Sequence, residues 1–155
     1  MDIDSVQSSF ELYIYQVTDT KLCDSLENLA QQGLKLTLLV SKRIYGTTDY
    51  YRAKACYEQL HKANIVVRTA WSFDFSFYNH QKFWIIDGAR VTLSTGNWSP
   101  SDYPSTNSTS YPPHHNPYWQ SINRDFTFSV KNADVVKVFQ DVFDHDYSSG
   151  TNWSP

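Results

Sequence analysis

Residues 80–97, His80-Gln81-Lys82-Phe83-Trp84-Ile85-Ile86-Asp87-Gly88-Ala89-Arg90-Val91-Thr92-Leu93-Ser94-Thr95-Gly96-Asn97, read as two short strands around a tight turn. Lys82–Ile86 and Arg90–Ser94 are rich in β-branched and aromatic residues, and Asp87-Gly88 is a dipeptide suited to a two-residue hairpin turn. With Asp87 and Gly88 as the turn, Ile86 pairs with Ala89, Lys82 lies opposite Leu93, and His80 lies opposite Thr95. Residues two apart on a strand share a face. This register therefore predicts an imidazole, an ammonium, a hydroxyl and an amide on one patch: His80, Lys82, Thr95 and Asn97.

Upstream of the hairpin, Phe10 to Gln16 reads as a strand. Leu22, Leu26, Leu29 and Ala30 then recur at helical spacing, with Asp19 or Thr20 as cap and Gly33 as stop. Leu34 to Val40 reads as a buried strand, about Asp49 to Ala63 as a helix burying Ala53, Cys56, Tyr57 and Leu60, and Ile65 to Thr69 as a strand. Strands alternating with helices indicate parallel α/β packing. Downstream, Pro100 to Gln120 is rich in Pro, Ser, Thr, Tyr and Asn and reads as a long irregular loop. Asp125 to Val130 reads as a strand, and Asn132 as the cap of a last helix with Val135, Val138, Phe139 and Val142 facing inward. The tail, about 148–155, reads as loose. The expected architecture is one domain over residues 1–155, a three-layer α/β/α sandwich with a mixed sheet and a loop insertion at about 100–120.

A chain of 155 residues, 41% of them hydrophobic, has room for one sizeable core. The net charge of −3 argues against a protein that coats nucleic acid non-specifically, although an acidic body can carry a locally basic site. Cys23 and Cys56 are too few for a disulfide framework and are expected as two buried thiols. MDIDSVQSSF has neither the basic start nor the apolar run of a signal peptide, and no stretch reaches the ~18 apolar residues of a membrane span. The chain is expected to be soluble; its compartment stays open.

The predicted patch suits phosphodiester chemistry. A phosphodiester resists nucleophiles because it is anionic. Lys82 can neutralise one phosphoryl oxygen and Asn97 can donate to another. A neutral imidazole can attack phosphorus and divide one hard step into two. Such an imidazole needs a carboxylate to orient it, and Asp125, on the strand after the loop, is the candidate.

The same residues carry a resemblance. His80-Gln81-Lys82-Phe83-Trp84-Ile85-Ile86-Asp87 fits H-x-K-x-x-x-x-D, and Ser94-Thr95-Gly96-Asn97 stands where G-S-x-N follows it, with Ser94 replacing the first glycine. Trp98-Ser99 is similar to the common extension, and FELYIYQVTD and the helix before LKLTLLV are similar to the opening units of the same fold. The chain resembles the phospholipase D superfamily over nearly its whole length. The resemblance implies a phosphodiesterase in which His80 becomes a phosphohistidine. Lys82 and Asn97 would bind the phosphate with Thr95 as a supporting hydroxyl. Asp125 would orient the nucleophile, where the family more often has glutamate. Asp87 and Ser94 would be structural members of the motif. No metal and no cofactor is implied.

One motif supplies one histidine, whereas the family normally uses a second to protonate the leaving oxygen. A homodimer with the site on its two-fold axis would provide it; so would a second motif-bearing half of a longer protein. The substrate is expected to be a phosphodiester, in nucleic acid by preference, with phospholipid headgroup hydrolysis or phosphatidyl transfer as the alternative. A non-catalytic domain that binds phosphate-bearing ligands or assembles with a partner is the rival of a different class; the intact His80, Lys82 and Asn97 set speaks against it.

Other polar clusters have plainer readings. His114-His115 lack a spaced partner and read as loop residues rather than metal ligands. Asp144-His145-Asp146 reads as a polar helix end and His61 as a surface residue. Ser41-Lys42-Arg43 follows a strand and is either a solvated loop or a contact for an anionic substrate. Asn107 is the plausible glycosylation acceptor if the protein is secreted. Tyr103, Tyr111, Tyr118 and Trp119 fit packing onto the body, base stacking or a lipid interface.

Overall fold

Phe10, Leu12 and Ile14 point to one side of a strand and Tyr13 to the other, and both sides are apolar. A strand with two apolar faces belongs in the middle of a sheet covered on both sides. In the computed structural model, which describes residues 2–70, 79–103 and 123–155, this strand is β1 (Ser9–Ile14). It is followed by α1 (Thr20–Gln31), β2 (Lys35–Ser41), α2 (Thr47–Lys62), β3 (Val67–Ala70), β4 (Lys82–Ile86), β5 (Arg90–Ser94), β6 (Thr127–Val130), α3 (Ala133–Ser149) and β7 (Thr151–Asn152).

The strands form one seven-stranded sheet in the order β6-β5-β4-β1-β2-β3-β7. β1, β2 and β3 run parallel, and the remaining pairings are antiparallel. Cys23, Leu26 and Leu29 of α1 and Ala53, Cys56, Tyr57 and Leu60 of α2 cover one face, against Phe10, Leu12, Ile14, Leu38, Val40, Trp84 and Ile86. Val136 and Phe143 of α3 cover the other, against Tyr13, Leu39, Phe83, Ile85 and Val91. This is the expected three-layer sandwich with a mixed sheet. Asp19 caps α1 by accepting from the Leu22 N–H, and Asn132 caps α3 by accepting from Asp134 and Val135.

Four expectations are corrected. The hairpin is longer by one residue: Ile86 pairs with Arg90 and Phe83, not Lys82, with Leu93. Asp87 and Gly88 adopt φ of 54° and 61°, and the Ala89 N–H closes the turn on the Ile86 carbonyl at 3.0 Å. All of β4 is buried, so its two faces show no hydrophobic contrast by which sequence could choose between registers.

The last helix turns inward a stripe that shares only Phe139 with the expected one. Val135, Val138 and Val142 are exposed, while Val136, Phe139, Phe143 and Tyr147 pack on the sheet. Both stripes are apolar, and the aromatic one is the one that meets rings on the sheet. Its rings meet Phe83 at 5.0 Å from Phe139 and Tyr13 at 6.2 Å from Phe143.

The cysteines are joined, not free. Cys23 and Cys56 form a disulfide with Cα atoms 5.8 Å apart, because α1 and α2 lie side by side on one face. The tail is tied down as well: β7 pairs with β3, and the Trp153 N–H donates to the Val67 carbonyl at 2.9 Å while its ring meets Tyr57. The long-loop reading falls almost wholly on residues 104–122, which lie outside the described residues, as do Asn107, His114, His115, Tyr111, Tyr118 and Trp119.

Candidate active site

The antiparallel pairing of Ile14 with Lys82 brings the start of β4 to the carboxyl end of β1. β5 ends and β6 begins at that same edge, since Ser94 pairs with Thr127. The carboxyl ends of parallel strands are the usual place for a ligand in an open α/β sheet. His80 stands there, exposed, with its ring centroid 4.8 Å from that of Tyr15. Lys82 is buried, and its Nζ lies 3.1 Å from both Nδ1 and Nε2 of His80 and donates to the His80 carbonyl at 3.2 Å. An ammonium has no lone pair, so contact with a ring nitrogen is favourable only when the imidazole is neutral. Burial, then the Lys82 charge, lowers the His80 pKa below its ordinary value. Burial lowers Lys82 too, against the opposing pull of Asp102 and Asp125.

The peptide carrying His80 is clamped from behind. Asn79 is 3% exposed. Its N–H donates to Ser41 Oγ at 3.2 Å, its Oδ1 accepts from the Gln81 N–H at 3.1 Å, and its Nδ2 donates to the Tyr13 hydroxyl. That hydroxyl in turn donates to Asp146 on α3 at 2.7 Å. Burial, with the Asp146 carboxylate, pushes the Tyr13 hydroxyl far above its ordinary pKa, so it remains a donor. Two strands of the sheet and the helix α3 thus fix the residue before the imidazole.

On the other side of the patch, Thr95 Oγ1 donates to Asp125 Oδ1 at 3.0 Å and accepts from the Phe126 N–H at 2.9 Å. The carboxyl group of Asp102 is the acidic neighbour of Asp125. Burial, then this neighbour, raises the Asp125 pKa. Asp102 is held by Ser99 Oγ at 2.5 Å and Asn123 Nδ2 at 2.6 Å. A Cβ on Gly96 would stand 2.7 Å from Asp125 Cγ, so the absence of a side chain at 96 is what gives the carboxyl its place. Ser94 accepts from the Gly96 N–H at 3.1 Å and pairs with the Thr127 hydroxyl, tightening the same turn.

Asn97 is positioned by its neighbour. Trp98 is fully buried, packs on Phe10 and Trp84, and its carbonyl accepts from the N–H groups of Thr18 and Asp19 at 2.7 and 3.0 Å. Asn97 Oδ1 is buried without a hydrogen-bond partner among the described residues. Asp87 lies at the far end of β4, where its carboxylate accepts from the N–H groups of Gln7, Ser8 and Ser9. Burial would raise its pKa, but these bonds and the one from the Ser8 hydroxyl outweigh that and hold it low.

The structure therefore gathers His80, Lys82, Thr95, Asn97 and Asp125 at one edge of the sheet and puts Asp87 at the other. Tyr15, Asn79 and Asp102 were missed. Asn79 directly precedes the motif, and Tyr15 continues the first strand; Asp102 has no one-dimensional signal. His145 is exposed and touches Asp146 at 3.0 Å, and no group of three potential metal ligands forms among the described residues.

A mixed sheet between helices, with the histidine and lysine of H-x-K-x-x-x-x-D at the carboxyl edge of its parallel strands, defines a phospholipase D-like domain. The family model described as cardiolipin synthase, PLD-like domain, matches residues 1–147, and the chain belongs to the phospholipase D superfamily. Solved structures agree. Nuc of Salmonella typhimurium, a phospholipase D family member, is 16% identical with a TM-score of 0.73, over 99% of this chain and 86% of that one. NucT of Helicobacter pylori is 17% identical with a TM-score of 0.68, over 97% and 86%. Phosphatidylserine synthase of Haemophilus influenzae is 10% identical with a TM-score of 0.61, over 97% and 35%. At these identities the likeness is one of fold. No curated protein sequence matches the chain. Among the described residues, no helix is long and apolar enough to cross a membrane.

Proposed function

We propose that the protein hydrolyses phosphodiesters through a covalent phosphohistidine on His80, with nucleic acid as the preferred substrate class. The observation that carries this is the exposed imidazole, kept neutral beside the Lys82 ammonium at 3.1 Å. Lys82 and the Asn97 amide take the phosphoryl oxygens. The His80 ring nitrogen attacks phosphorus, the bond to the leaving oxygen breaks, and that oxygen takes a proton from a second acid. Water then attacks phosphorus and gives its proton to the group that served as the acid; the bond from phosphorus to the His80 nitrogen breaks and a monoester is released. Asp125, held by Thr95, supplies the negative charge that orients the imidazole and stabilises the cation formed on it.

The second acid is His80 of another copy, in a homodimer built around the two-fold axis. Phe126, which follows Asp125 directly, and Phe128 on the edge strand β6 support this: both are exposed. Sedimentation of active enzyme as a dimer is expected. A monomer that turns over at assay concentration would overturn the dimer, and an inert monomer rescued by a second motif-bearing chain would favour a two-half enzyme.

A second reading, phospholipid headgroup hydrolysis or phosphatidyl transfer, is favoured by the description of the matching family model. The covalent step would be the same, with an alcohol in place of water for transfer. Quenching the enzyme with labelled phosphodiesters of each class tests the mechanism and separates the substrates. An acid-labile adduct on His80 is expected. Product accumulating without any adduct, or an adduct on another residue, would overturn the nucleophile; no turnover of any diester would leave a non-catalytic binding domain.

A further inference from the structure

We propose that the rim beside His80, made by the loop after β2 and the first turns of α2, is a subsite for single-stranded nucleic acid. Tyr45, Tyr50 and Tyr51 stack unpaired bases there, and Lys42, Arg43 and Arg52 contact phosphates. The inference rests on the phosphodiesterase reading and names the substrate of that same site.

Tyr45, Tyr50 and Tyr51 are 87%, 47% and 63% exposed. The core contacts of α2 come from Ala53, Cys56, Tyr57 and Leu60, so none of the three rings is spent on holding the helix. Tyr50 and Tyr51 meet edge to face at 5.5 Å, which gives the rim two differently oriented aromatic surfaces. Three tyrosines on one rim supply rigid π-faces at small entropic cost, and base stacking on such faces tolerates any sequence.

The rim is mechanically joined to the nucleophile. The Tyr45 N–H donates to the Tyr15 hydroxyl at 2.6 Å, and the ring of that tyrosine packs against His80. Ser41 Oγ donates to the Arg43 carbonyl at 2.8 Å and accepts from the Asn79 N–H, one residue before His80. A strand lying on the rim is thus led to the imidazole within one aromatic side chain's length.

Charge selects a polyanion. The whole chain carries −3, yet residues 41–54 hold Lys42, Arg43, Arg52 and Lys54 against Asp49 alone, which Gln16 engages. Lys42, Arg43 and Arg52 are exposed cations on the rim. Gly46 caps α2 with no side chain, so the amides of its first turn add to the attraction for phosphate. A membrane would call for exposed aliphatic residues; Ile44 is the one large aliphatic side chain in this stretch, and it packs against the core. A duplex keeps its base faces stacked internally and offers the tyrosines nothing.

The test compares the full chain with Tyr45→Ala, Tyr51→Ala and Arg43→Ala. Substrates are oligo-dT, oligo-U, duplex DNA, phosphatidylglycerol vesicles and the small diester bis(4-nitrophenyl) phosphate. For each tyrosine variant kcat/KM on a single-stranded oligonucleotide should fall by roughly five- to a hundredfold, mainly through KM, with the small diester little changed and Tyr45→Trp retaining activity. Unchanged oligonucleotide cleavage in all three variants overturns the subsite while leaving the phosphodiesterase reading intact. So does a preference for duplex, or a loss that falls on vesicles instead. If no diester is cleaved, the phosphodiesterase reading fails, and fluorescence anisotropy with labelled oligo-dT still decides the rim: binding weakened by the tyrosine substitutions supports it, and binding unchanged by them overturns it.

Discussion

Lys82 Nζ is equidistant, at 3.1 Å, from the two ring nitrogens of His80. Burial first, and this contact second, lower the pKa of the imidazole. A neutral nucleophile with a lowered pKa stays neutral further into acid. The acid limb of kcat/KM should therefore fall below the ordinary histidine value of about 6.5. Lys82→Met removes the cation and should raise the His80 pKa, read by imidazole proton shifts. Burial keeps part of the depression. The same variant should lose roughly a hundred- to a thousandfold in turnover, because the phosphate charge goes unanswered. An unmoved His80 titration would overturn the coupling.

His80→Ala should abolish turnover and leave the melting temperature within a degree or two, since an exposed side chain carries little stability (about 0.5 kcal/mol or less). Wild-type cleavage should survive EDTA. Full loss in chelator, restored by a divalent ion, would contradict the covalent mechanism as proposed.

Gly96→Ala tests the carboxylate. The added methyl takes space now filled by Asp125, whose Cγ would lie 2.7 Å from it. The side chain must swing away, breaking its bond from Thr95. We expect kcat to fall tenfold or more, on the order of a lost hydrogen bond to a charged group, with KM for a small diester little changed. Equal activity would remove Asp125 from the mechanism.

Asp87→Ala should act on stability and not on chemistry. It deletes the acceptor of three backbone N–H groups at the head of β1. The cost is about 1–2 kcal/mol, at the low end for charged hydrogen bonds because the site is partly open to water. The native carboxyl is held below its ordinary pKa. Its contribution is thus fully present above the unfolded value near 3.9 and vanishes as the pH falls through the lower native value. Thermal melts at pH 7 should separate wild type from variant, and the gap should close in strong acid.

Reducing the Cys23–Cys56 bridge should lower stability by about 2–4 kcal/mol, since it releases a long loop in the unfolded chain. Melts with and without reductant measure this. Thiol reagents should find no reactive cysteine in the untreated native protein; two titratable thiols there would refute the bridge.

Local signals in the sequence determined a good deal. The limits of β4 and β5, the Asn132 cap and the alternation of strands with helices all follow from turn residues, caps and periodicity, which act over a few positions. The spacing of His80, Lys82 and Asn97 points to phosphate chemistry. Tertiary structure decided whatever depended on two distant segments. The hairpin register slipped by one because β4 is apolar on both faces and Asp87 is held by the start of β1. The last helix carries two apolar stripes, and only the aromatic partners on the sheet chose between them. Cys23 met Cys56 because two helices share a face. Asp102 reached Asp125, and Asn79 reached Tyr13 and through it Asp146, because segments far apart in sequence meet in the folded chain; contacts of that kind leave no periodic trace along the chain.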